Sequence, residues 1–150
     1  METTRFVDTE KGIVITTVTG KITVAEIRAD ITRLRAQPNY TPDMPGIVDM
    51  RGATAGLTSD ELRQIADVVK NSPKTVSGAR RALLVGSDFM YGLYRMFAAF
   101  ASDGSVEYQV FRDEKNWRLH GLKKKPKNAN EKPLQNKFCI ACAKFLKIHR

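Results

Sequence analysis

The chain has 150 residues, 42% of them hydrophobic, and a formal net charge of +9. That length builds one domain with a core that needs no disulfide or metal staple, and no apolar run approaches the roughly 20 residues of a membrane span. Glu2, Arg5, Asp8, Glu10 and Lys11 interrupt the first residues, which excludes an apolar signal core there and makes a cytoplasmic protein the expectation.

The charge is unevenly placed. Residues 1–117 hold 15 basic and 15 acidic side chains, whereas residues 118–150 hold 10 basic and one acidic, Glu131. A basic average argues for nucleic acid or an anionic membrane surface, but here that argument reaches only the tail. Both cysteines sit in one late Cys139-x-x-Cys142, with none before it, which suits a reducing compartment.

In chain order, "TRFVDTEKGIVITTVTG" reads as two strands joined by a tight turn near Glu10-Lys11-Gly12, the second rich in β-branched residues. Thr23 and Glu26 have the spacing of a capping box. Val24, Ile27, Ile31 and Leu34 then recur at helical spacing, and the helix must stop before Pro38. "GIVDM" is a short buried strand. Gly52 and Gly56 are expected to turn the following loop back over its end. Thr58 and Glu61 form a second capping-box pair, opening a helix marked by Leu62, Ile65, Ala66 and Val69. "RRALLVGS" is another buried strand. "DFMYGLYRMFAAFAS" is a third helix capped by Ser87 or Asp88, "VEYQVFRD" the last strand, and "EKNWRL" begins a final helix.

The order β-β-α-β-α-β-α-β-α predicts an α/β sandwich with a mixed, mostly parallel five-stranded sheet and about four helices. It spans residues 1–121. Residues 122–150 form a basic, proline-broken linker followed by "FCIACAKFLKIHR", an amphipathic stretch suited to an anionic membrane surface or a partner groove.

Catalytic chemistry has little to stand on. His120 and His149 are the only histidines and lie at or beyond the end of the body, so no Ser-His-Asp or Cys-His arrangement is available within it. The run from Gly52 to Thr58 is too short for a P-loop and lacks its lysine. Asp49, Asp60 and Glu61 are scattered acids beside a helix start, a poor Mg²⁺ set. Cys139, Cys142 and His149 fall one ligand short of a structural zinc site. A protein without cofactor or metal, and not an enzyme, is expected.

The segments "GIVITTVTGKITVAEI", "VDMRG", "RRALLVGSD", "YGLYRMF" and "VFRDEKNW" together resemble the STAS-like (SpoIIAA-like) bacterial proteins, named from anti-sigma-factor antagonists, over about residues 3–119. The resemblance implies a cytoplasmic regulatory domain acting through protein–protein contacts. In the antagonists a serine after the central strand is phosphorylated, a position that falls here on Thr58 and Ser59. This sequence departs from the Asp-Ser-Ser-Gly pattern, because Asp60 and Glu61 follow instead of glycine. Two carboxylates there oppose an incoming phosphate.

The third helix carries two apolar stripes. Phe89, Leu93, Met96, Phe97 and Phe100 form one; Met90, Tyr91, Tyr94, Ala98 and Ala101 form much of the other. A sheet needs only one. The second is expected to meet the final helix through Trp117 and Leu119, to form a homodimer surface, or to border an apolar ligand pocket at Met90, Tyr91, Tyr94 and Ala98. Kinship of this fold with lipid carriers of the CRAL-TRIO type adds the pocket by analogy, so a carrier or sensor of a small apolar ligand or lipid stands beside the regulator.

Overall fold

The structure is a computed structural model that describes residues 1–71, 79–102 and 106–112. Eight elements follow one another: β1 (Glu2–Asp8), β2 (Ile13–Ile22), α1 (Val24–Arg35), β3 (Gly46–Ala55), α2 (Ser59–Lys70), β4 (Ala79–Val85), α3 (Asp88–Ala101) and β5 (Val106–Phe111). They form the expected α/β arrangement. The expected fourth helix, Trp117, Leu119 and the basic tail lie outside the described residues.

The β1–β2 hairpin turns at Gly12, whose φ of 61° is open to glycine at no steric cost. Lys11 supports the turn by donating from both its backbone N–H and its ammonium to Asp8. β1 and β2 run antiparallel in register from Glu2 opposite Thr19 to Asp8 opposite Ile13. The sheet then continues parallel in the order β1-β2-β3-β4-β5. Every parallel crossover moves one strand in the same direction. Right-handed connections therefore put α1, α2 and α3 on one face.

That face holds the main core, where Val18, Ile22, Met50, Leu83 and Val85 meet Leu62, Ile65, Leu93 and Phe97. The opposite face carries a smaller cluster, Ile13, Ile15, Ile47, Ala82 and Leu84, with Phe111 against it. Both sheet faces are thus apolar at their centre, which explains why "GIVDM" and "RRALLV" read as continuous apolar runs rather than alternating ones.

β3 is longer than the five residues the sequence suggests. Thr17 pairs with Asp49, but Thr19 pairs with Gly52, so β3 has one extra residue between them. This bulge shifts the alternation: Met50 before it and Ala53 and Ala55 after it all enter the helix-side core. Gly52 therefore does not turn a loop. It lies within the strand, where a Cβ would come within 3.1 Å of the Thr19 methyl. Gly86, just past β4, leaves room for the bulge itself, since a Cβ there would meet the Arg51 carbonyl oxygen at 2.7 Å.

Each helix starts on a hydroxyl. Thr23, Thr58 and Ser87 accept from the backbone N–H of Glu26, Glu61 and Met90 respectively. α3 buries six of its 14 residues. Met90, Leu93, Tyr94, Phe97, Ala98 and Ala101 are buried, drawn from both apolar stripes, while Phe89 stays 63% exposed. α2 packs beside α3, and Phe97 stands edge-on to Tyr94 and Tyr108, with ring centroids 6.0 and 5.2 Å away.

Candidate ligand cavity

α1 has the apolar stripe of a core helix, yet none of its 12 residues is buried. Its apolar side faces a gap. Between α1 and the sheet lies a cavity of about 570 Å³, within the range of small-molecule sites. Ile27, Ile31 and Leu34 form its α1 wall, Val18, Val48, Met50 and Leu83 its sheet floor, and Leu62, Ile65, Tyr94 and Phe97 its far side.

Two sequence features keep α1 in this place. At its start, the Glu26 carboxylate accepts from the Thr23 hydroxyl at 2.8 Å and from the N-terminal amine of Met1. These bonds to the charged form hold Glu26 below the ordinary carboxylate range, the amine contributing most. At its middle, Arg5 on β1 donates to Asp30 at 2.5 Å and to the Thr16 hydroxyl at 3.3 Å. α1 is therefore tied to the sheet edge by polar groups, while Val24 and Ile27 touch the core and its apolar side stays only half-buried.

The loop between α1 and β3 borders the other end of the cavity with Tyr40 and Pro42. Arg81, projecting from β4 on the helix side, donates to the carbonyl oxygens of Met44 and Pro42 and to the Tyr40 hydroxyl. Its neighbour Arg80 points to the opposite face and pairs with Glu107 at 3.2 Å. Gly46 makes room for the Arg81 stem, since a Cβ there would lie 2.9 Å from Arg81 Cδ.

Of the residues singled out from sequence, Tyr94 lines this cavity and Met90, Tyr91 and Ala98 do not. Met90, Tyr94 and Ala98 are buried within the chain, so they are not an open surface of α3. Burial pushes the Tyr94 phenol well above its usual range, which keeps it protonated as a neutral donor. Tyr91 instead lies under the Arg112 guanidinium, 4.7 Å from the ring centroid.

Thr58 and Glu61 form the full reciprocal box. Thr58 Oγ1 accepts from the Glu61 N–H at 3.2 Å, and Glu61 Oε2 accepts from the Thr58 N–H at 2.8 Å. Those bonds hold the Glu61 carboxyl below its ordinary range, with the Thr58 backbone the chief cause. Ser59 is the first residue of α2 and is exposed.

The three acids considered for Mg²⁺ have separate partners. Asp49 receives the Arg51 guanidinium at 2.6–3.2 Å, Asp60 takes Arg63, and Glu61 caps α2. Among the described residues, no three His, Cys, Asp or Glu side chains are grouped to hold a metal ion, and no helix is long and apolar enough to cross a membrane. Cys139, Cys142 and His149 lie outside the described residues.

Two features of the cavity had little signal in the sequence. The stripe of α1 is the same whether it packs on a sheet or stands off from it. Arg81 had a weak one: in "RRALLV" strand alternation sets it on the side of Leu83 and Val85, an inward position for a guanidinium. No family model matches the chain, and neither the curated proteins nor the solved structures contain a match.

Proposed function

We propose that this chain is a STAS-like α/β module that binds a small apolar molecule between α1 and the sheet, as a carrier or sensor and not as an enzyme. The observation that carries the reading is that the apolar side of α1 is only half-buried and faces a cavity of about 570 Å³. A helix that ends no closer to its sheet than this forfeits the burial that normally fixes an amphipathic helix. A hydrophobic ligand would restore it, at roughly 25 cal/mol per Å² of apolar surface covered. The antiparallel β1–β2 start followed by parallel strands supports the STAS-like assignment. The site sits beside α1, with α3 contributing only Tyr94 and Phe97.

Titration with N-phenyl-1-naphthylamine, a neutral dye that brightens in apolar surroundings, tests this. Saturable one-site binding, weakened in Ile31→Trp, which puts an indole into the cavity from its α1 wall, is the expected result. Absence of saturable binding by the wild-type chain would overturn it.

A second reading keeps the regulator that acts through a protein partner or a homodimer. Exposed Ser59 at the first position of α2 favours it, because its hydroxyl is accessible whereas that of Thr58 is engaged in the cap. Phosphopeptide mapping that finds Ser59 modified, with a partner released by Ser59→Asp, would place this reading first.

A further inference from the structure

The charges on the cavity wall suggest what kind of apolar molecule fits. Four charged side chains line it: Arg5, Arg35 and Arg81 are cationic, and Asp30 is the sole anion. Asp30 is already matched, by Arg5 at 2.5 Å and by Arg33 at 3.7 Å. Two guanidinium groups remain.

Arg81 is held entirely by neutral acceptors, the carbonyl oxygens of Met44, Arg80 and Pro42 and the Tyr40 hydroxyl, and among the described residues no carboxylate reaches it. Its position is fixed by dipoles, and no ion pair among the described residues matches its charge. Arg35 belongs to the last turn of α1, exposed and without an ion pair among the described residues. α1 leads directly into the loop that carries Tyr40 and Pro42, so both cations stand at the same end of the cavity. The Tyr40 oxygen accepts from Arg81 at 3.2 Å, which leaves its own O–H to donate.

Resting on the reading of this cavity as a ligand site, we propose that it selects an apolar acid: a hydrocarbon body between α1 and the sheet, with one carboxylate received by Arg81, Arg35 and the Tyr40 hydroxyl. A guanidinium fork and a phenol O–H suit a planar carboxylate, and a charge-assisted bond at the edge of an apolar site is stronger than a neutral one. The matched Arg5–Asp30 pair offers no second anion site, so the ligand is a monoacid rather than a diacid.

Calorimetric titration of the full chain with decanoate and with decan-1-ol, matched in hydrocarbon length, tests the charge separately from the cavity. Decanoate is expected to bind about tenfold or more tightly than the alcohol. Arg35→Gln and Arg81→Gln should each bring the acid toward the alcohol while leaving the alcohol unchanged. Arg81 also holds the loop and its variant risks misfolding, so the exposed Arg35 variant carries the test alone if needed. Equal binding of acid and alcohol would overturn the carboxylate site while the cavity reading stands. Failure of both to bind would overturn the cavity reading as well.

Discussion

The Thr58 hydroxyl makes two bonds at once, accepting from the Glu61 N–H and donating to the Glu61 carboxylate. Replacing it by alanine removes both, so Thr58→Ala is expected to cost about 0.5–2 kcal/mol in denaturant unfolding. Ser59→Ala should change little. The opposite order of midpoints would defeat the capping role. Glu61 adds a pH signature. Its folded carboxyl is held below the ordinary value of 4.5, so the cap contributes fully above that value and is lost as pH falls through the folded pKa. The gap between wild type and Glu61→Gln should therefore narrow in acid, which midpoints at pH 7 and pH 3 would show. Both capping boxes were legible as Thr-x-x-Glu spacings, because a cap joins groups three residues apart. Only the one at Thr58 closes in full reciprocal form. Glu26 turns its carboxylate to the Met1 amine, a partner 25 residues away that no local spacing predicts.

Among the elements, α1 and α2 both follow a capping threonine and carry an apolar stripe, yet they differ in burial. Leu62 is fully buried, and Leu62→Ala is expected to cost about 2–5 kcal/mol by leaving a void. Ile31→Ala on α1 should cost about 1 kcal/mol or less, since its neighbour across the gap is a cavity already. Similar losses at the two sites, measured by chemical unfolding, would mean that α1 packs as core. The β3 bulge gives a second contrast. Gly86→Ala forces a Cβ against the Arg51 carbonyl oxygen and is expected to cost about 1–3 kcal/mol, while Gly56→Ala meets nothing within 4 Å and should be neutral or stabilising. Equal effects of the two on the thermal midpoint would remove the bulge from its place against Gly86.

For the whole molecule, binding and charge separate cleanly. A ligand that occupies the α1 cavity only in the folded state should raise stability with its concentration, by about 2.7 kcal/mol at one hundred times its Kd. A decanoate series followed by thermal unfolding should show midpoints that climb without levelling at one equivalent. Residues 118–150 carry the entire net charge of +9, and residues 1–117 balance to zero. Any association with DNA or anionic vesicles should therefore fall steeply between 50 and about 200 mM salt, whereas decan-1-ol binding in the apolar cavity should hardly move. Parallel loss of both would place the cavity among the charges of the tail.

Among the described residues, the eight strands and helices, their order and the helix starts were legible in the sequence, because periodicity and capping depend on residues within about four positions of one another. The α/β class follows from that order. Tertiary structure decided the rest. The extra residue that moves Ala53 and Ala55 into the core exists only as a mismatch in the pairing of β2 with β3. Met90, Tyr94 and Ala98 are interior because α2 and the sheet meet α3 on both of its stripes. The cavity is set by the distance at which Arg5, Asp30, Met1 and Glu26 hold α1 from the sheet. That distance is a balance of contacts 25 residues apart in the chain, and no local pattern of amino acids encodes it.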